Sequence, residues 1–287
     1  FSQYLSPTVI DQIVENPDML QLGGEKREMT PFFSDIQGFS TISEGLTPEE
    51  LVQLLNEYLT AMCDIVSSYH GTIDKFEGDA IIAFWGAPLE LPDHATVACH
   101  AAIDMQKRNE EMRKTLREQN RPMLYTRIGM SSGPVVVGNM GSADRMDYTM
   151  MGDVVNLAAR LEGVNKFYQT FTMISQSTYD LTKDDIDTRQ LDVIRVVGKK
   201  EPISVFEVLE RKNQTSSEKS GVVEKYLKAL KLYEERNFAD ASKEFEKVLA
   251  IDPDDGPSKT YVKRCGVFLE TPPEKDWDGV YTFTEKG

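Results

Sequence analysis

The sequence predicts an α+β sandwich with a mainly antiparallel sheet, followed by a small C-terminal helical extension. Three observations carry this expectation. Strand-like apolar runs alternate with two long amphipathic stretches and then return as strands. Residues 71–85 read as a hairpin turning at Glu77-Gly78, with Ile73 and Phe76 before the turn and Ile81, Ile82 and Phe84 after it. Residues 223–256 space Ala229, Leu232, Phe238, Ala241, Phe245, Leu249 and Pro253 as a helical hairpin would. The expected organisation is a connector over 1–27, a main domain over 28–212, a polar linker over 213–222 and the helical extension with its tail over 223–287.

Each element follows from local chemistry. Met29–Ile36 is a buried strand that runs into Asp35 and then Gly38. Thr47-Pro48-Glu49-Glu50 starts a helix: Thr47 caps, Pro48 suits the first helical position and Glu50 completes a capping box. That helix should reach Tyr69, with Leu51, Leu55, Tyr58, Leu59, Met62, Ile65 and Val66 on its core face. A second helix runs from about Asp93 to Gln119 and packs through Ala95, Ala98, Ala102 and Met105. Tyr125–Met130 and Val135–Asn139 read as a second hairpin around Ser131-Ser132-Gly133-Pro134. A helix capped by Asp153, a short strand at Phe171–Ser175, a short helix and two last strands complete the domain.

Composition narrows the function. The net charge of −15 argues against nucleic acid or an anionic membrane as the main partner. Three scattered cysteines without Cys-x-x-Cys spacing suggest a reducing, cytoplasmic setting and no disulfide framework. No apolar run reaches the ~18 residues of a membrane helix.

Asp35 and Asp79 each close a predicted strand or turn. If neighbouring strands carry them, they can share divalent ions through oxygen alone, as Mg²⁺ prefers, and two such ions suit phosphoryl transfer. Asn156 and Arg160 stand four apart on one helix face, where a guanidinium can meet a phosphate. Thr149 can accept from an exocyclic amine and Lys75 can donate to a ring nitrogen, which together complement the edge of adenine. Each residue also has an ordinary reading: a turn aspartate, a helix-face asparagine, an exposed arginine, a solvated lysine, a β-forming threonine.

Taken together, Phe33-Ser-Asp-Ile-Gln-Gly-Phe39, Asp74-Lys-Phe-Glu-Gly-Asp-Ala80 and Tyr148-Thr-Met-Met-Gly-Asp-Val-Val-Asn-Leu-Ala-Ala-Arg-Leu161 resemble the class III nucleotidyl cyclases over residues 28–210. The resemblance implies a ferredoxin-like core, a head-to-tail homodimer with sites at its interface, ATP as substrate, and two Mg²⁺ or Mn²⁺ ions per site. It implies that Asp35, Asp79 and the carbonyl of Ile36 bind metal, that Lys75 and Thr149 select the base, that Asn156 orients the ribose and that Arg160 stabilises the transition state. Lys with Thr resembles the adenylyl subclass, whereas guanylyl relatives carry Glu and Cys there. The run Val196-Val197-Gly198-Lys199 departs from the family's Val-Lys-Gly-Lys, and leaves Lys199 as the candidate for the triphosphate. Pro134 stands where some relatives carry Arg. Residues 1–27 resemble the connector to an upstream sensor or membrane domain, and 223–256 resemble one tetratricopeptide unit. The rival expectations are a guanylyl or dual-specificity cyclase and a catalytically silent nucleotide-sensing dimer; the Gly-Gly-Asp/Glu-Glu-Phe signature of a diguanylate cyclase is absent.

Overall fold

The computed structural model describes residues 10–11, 14–15, 22–142, 144–196 and 200–283. Most of the expected connector, and Lys199, lie outside these residues. One sheet runs in the order β10-β8-β9-β7-β4-β1-β3-β2, with the β5–β6 pair branching from β1. Its strands are β1 (Gly23–Ile36), β2 (Thr72–Glu77), β3 (Ala80–Trp85), β4 (Thr126–Met130), β5 (Gly133–Gly141), β6 (Met146–Met151), β7 (Thr172–Ser175), β8 (Ile186–Arg195), β9 (Ile203–Arg211) and β10 (Tyr281–Thr282). The helices of the domain are α1 (Phe39–Glu44), α2 (Pro48–Ser68), α3 (His94–Glu118), α4 (Asp153–Tyr168) and α5 (Gln176–Thr182). Three more follow: α6 (Ser217–Glu234), α7 (Phe238–Ile251) and α8 (Gly256–Glu270). All pairings are antiparallel except β4–β7 and β8–β10, so the α+β expectation holds.

Alternation along the strands separates the two faces. On β3, Ile81, Ala83 and Trp85 join the core under α2 and α3, while Ile82 and Phe84 face the other way. On β7 and β9, Ile174 and Phe206 join the first core, and their neighbours Met173 and Val205 join a second one. That second core is roofed by α4 and by α6–α8, with Leu161, Val164, Tyr226, Phe245 and Tyr261 buried. Helix α2 starts at the expected capping box. Its fully buried stripe is Leu54, Tyr58, Met62 and Val66; the expected Leu51, Leu55, Leu59 and Ile65 flank it half-buried.

Three expectations fail. First, β4 and β5 do not form a hairpin. Both lie on the same side of β1, β4 against Phe32–Ile36 and β5 against Gly23–Met29. The chain runs on through Ser131 and Ser132, whose buried hydroxyls bond Ser175, Thr30 and Thr178 and whose backbone stays tied to Pro31. The real hairpin is β5–β6. Second, β1 begins at Gly23, inside the expected connector, because its first half pairs with β5. Third, the expected linker 213–222 is helical from Ser217, where the Ser216 side chain caps α6 by accepting from the Lys219 N–H.

Helix α4 sits directly on β4 at Gly129. A Cβ there would lie 2.1 Å from the Glu162 nitrogen and 2.4 Å from the Ala158 oxygen, so only glycine admits the helix. The buried Asn165 side chain locks the same contact by donating to the Ile128 carbonyl at 2.8 Å and accepting from Thr170 at 2.9 Å. Gly129→Ala should therefore destabilise the fold by about 3 kcal/mol, the upper range of core overpacking. Gly221→Ala, in α6 with open space around the added methyl, should instead add about 0.5–1 kcal/mol. Urea unfolding midpoints check both; an unchanged midpoint for Gly129→Ala would contradict this packing.

Candidate active site

The β2–β3 hairpin turns through Gly78 and Asp79, with Glu77 paired to Ala80. Gly78 has φ +64°, the left-handed conformation that a glycine at the first turn position supplies without strain. The turn carries Asp79 to the end of β1, where its Oδ2 accepts from the Ile36 N–H at 2.8 Å. Asp35, one residue earlier, pairs across the strands with Arg127 of β4. Asp35, Ile36 and Asp79 thus meet at one corner of the sheet.

The charges at this corner are coupled. Burial pushes the Asp35 carboxyl up to about 6, the Asp79 charge adds to this, and Arg127 opposes it from 3.8 Å. Arg127 also pairs with Glu162 of α4 at 3.0 Å. Burial lifts Glu162 to about 7, Arg127 opposes that, and the Asp35 and Asp79 charges reinforce it.

Lys75 of β2 and Thr149 of β6 are brought together by a β2 residue to which the sequence assigned no role. Thr149 Oγ1 donates to Asp74 Oδ2, and Lys75 Nζ lies 3.5 Å from Asp74 Oδ1. Asn156 and Arg160 share the outward face of α4. Its inward residues Val155, Ala158 and Leu161 are buried, and Glu162 turns toward Arg127, while Asn156 is exposed and Arg160 half-exposed. Among the described residues neither Asn156 nor Arg160 shows a side-chain bond to the Asp35–Asp79 corner. One chain therefore gathers a carboxylate corner and a Lys–Thr cluster, and turns Arg160 away from the α4 face that meets the corner.

Arg127, Glu162 and Asp74 escaped the sequence reading. Arg127 is a charge inside the apolar run Thr126–Met130, and Glu162 falls among the buried residues Leu161, Gly163 and Val164; each is a signal of a paired internal charge. Asp74 stands in the quoted motif, but alternation alone gives no reason for it to touch Lys75.

The donor set at the corner suits a hard cation, since its side chains are the Asp35 and Asp79 carboxylates, with no sulfur or imidazole. Among the described residues, no group of three or more His, Cys, Asp and Glu side chains gathers to hold a metal. A cation on Asp35 and Asp79 would complete its shell from backbone, water or a bound phosphate. No helix of the described residues is long and apolar enough to cross a membrane.

A family model for the adenylate and guanylate cyclase catalytic domain matches residues 24–209. Adenylate cyclase 1 of Rhizobium meliloti is 35% identical over 209 residues, which is 73% of this chain; the chain spans 31% of that relative's own length. The crystal structure of the adenylyl cyclase CyaB from P. aeruginosa is 38% identical with a TM-score of 0.62, over 68% of this chain and 100% of that one. The crystal structure of the guanylyl cyclase Cya2 is 34% identical with a TM-score of 0.63, over 67% of this chain and 97% of that one. The chain belongs to the adenylate and guanylate cyclase catalytic domain family.

Proposed function

We propose that this chain is an adenylyl cyclase that converts ATP to 3′,5′-cyclic AMP and pyrophosphate at sites shared between two copies. The observation that carries the choice of base is the meeting of Lys75 and Thr149 at Asp74. Lys75 donates to N1 of adenine and Thr149 accepts from its 6-amino group. Guanine sets an N–H against Lys75 and a carbonyl against Thr149, and each lost bond in a desolvated pocket costs roughly 1–3 kcal/mol.

In the reaction, the ribose O3′ forms a bond to the α-phosphorus, the bond from that phosphorus to the pyrophosphate oxygen breaks, and the O3′ proton leaves to solvent. Asp35, Asp79 and the Ile36 carbonyl would hold two Mg²⁺ or Mn²⁺ ions. Such ions, when bound, acidify the 3′-hydroxyl and screen the phosphate charge. Asn156 orients the ribose. Arg160 lays its guanidinium against the charge that grows on the α-phosphoryl oxygens. Lys199 is the candidate for the triphosphate tail.

The outward turn of Asn156 and Arg160 supports a homodimer in which one copy supplies Asp35 and Asp79 and the other supplies Asn156, Arg160, Lys75 and Thr149. The stretch before β1 is read as a connector to an upstream sensor or membrane domain, with the catalytic chain in the cytoplasm where ATP is plentiful. We read α6–α7 as a tetratricopeptide-like hairpin, an assignment supported by its residue spacing and used here to brace the cyclase core.

Product identification by chromatography after incubation with ATP or GTP and Mg²⁺ or Mn²⁺ tests the activity. Cyclic AMP is expected, and cyclic GMP as the main product would overturn the assignment of the base. Asp35→Ala, Asp79→Ala and Arg160→Ala should each abolish turnover while leaving the dimer intact. Mixing Asp79→Ala with Arg160→Ala should restore about a quarter of the wild-type rate, because random exchange makes half the dimers mixed and each mixed dimer rebuilds one of two sites. No recovery under exchange would place each site within a single chain.

A further inference from the structure

We propose that Asp74 is a positioning residue for base selection, fixing the Thr149 hydroxyl as a hydrogen-bond acceptor toward the purine. This rests on the adenylyl reading above and deepens it.

The first observation is a bulge. Ile73 pairs with Ala83 and Lys75 pairs with Ile82, so Asp74 has no partner on β3. In a regular strand Asp74 and Lys75 would point to opposite faces. The inserted residue bends the strand and brings carboxylate and ammonium to within 3.5 Å of each other. The second observation is the direction of the Thr149 bond. A hydroxyl has one proton, and here Thr149 gives it to Asp74 Oδ2. Only lone pairs remain for a ligand. The 6-amino group of adenine can donate to them, whereas the 6-oxo group of guanine cannot. The third observation is that the Asp74 side chain is 2% exposed and that its two oxygens are divided between Thr149, at Oδ2, and the Lys75 ammonium, 3.5 Å from Oδ1. A buried carboxylate whose partners are the two residues assigned to the base is placed to set the orientation of both. Burial outweighs the opposing Thr149 hydroxyl and Lys75 ammonium and leaves its pKa raised, so the ion pair with Lys75 and the Thr149 bond are what hold the carboxylate in its accepting form.

The test is the ratio of kcat/KM for ATP to that for GTP in purified wild-type and variant enzyme. Asp74→Asn can donate its amide N–H to Thr149 and so release the hydroxyl proton toward a 6-oxo group. The ratio should fall about tenfold, with the larger loss on ATP. The same change made on Thr149→Val should leave the ratio of that variant unmoved, because Asp74 acts through the hydroxyl. Thr149→Ser should retain the wild-type ratio. Equal losses for ATP and GTP in Asp74→Asn, or an undiminished effect in the Thr149→Val background, would overturn the proposal and leave Asp74 structural. Wild-type enzyme can be read without any variant. The triphosphate of 6-methoxypurine riboside keeps the N1 acceptor and replaces the amine by an acceptor, so it should be used at least about tenfold less well than ATP; equal use would show a freely rotating hydroxyl and sink the proposal. A wild-type enzyme that prefers GTP would instead overturn the adenylyl reading itself.

Discussion

The seat of α4 on Gly129 is the contact on which the site depends. Helix backbone rests on strand backbone with no side chain between them. That fixes the rotation of α4 about its axis. Glu162 must then turn inward to Arg127 and the Asp35 corner, and Asn156 and Arg160 must turn outward. A helix displaced by one side chain could swivel, and Glu162 would lose its place against Arg127.

The helical extension adds to this constraint. Tyr226 of α6 and Tyr261 of α8 both donate to the Leu191 carbonyl, at 2.8 and 2.9 Å. The buried Arg189 of β8 bonds Asp255, at the start of α8, and Glu207. Thr260 of α8 donates to the carbonyl of Phe167 in the last turn of α4, and Gly256 lies so close to Tyr168 and Gln169 that a Cβ would meet them at 2.4 Å. The extension therefore presses on the end of the helix whose other half carries Asn156 and Arg160. Breaking one partner of such a buried ion pair costs several kcal/mol, which makes the extension part of the folded core.

Much of this was legible in the chain because it is local. The Thr47–Glu50 capping box, the turn at Gly78 and the apolar stripe of α3 depend on residues a few positions apart. The family was legible because the three motifs stand in order along the chain. What escaped is set by partners remote in sequence. The run 126–139 looks like a hairpin, since Gly-Pro follows two serines; only the length of β1 shows that both halves align on one strand. Asp74 is unremarkable until the bulge re-aims it. Arg127 and Glu162 are visible as charges in apolar surroundings, but which charge each one meets follows from the seat of α4.

In the proposed homodimer one chain holds only half of each catalytic site. The most direct measurement is the initial rate of cyclic AMP formation as the enzyme is diluted across the range where light scattering shows dimer giving way to monomer. The rate per chain should fall in step with the dimer fraction and approach zero for the monomer. A rate per chain that stays constant into the monomeric range would contradict it.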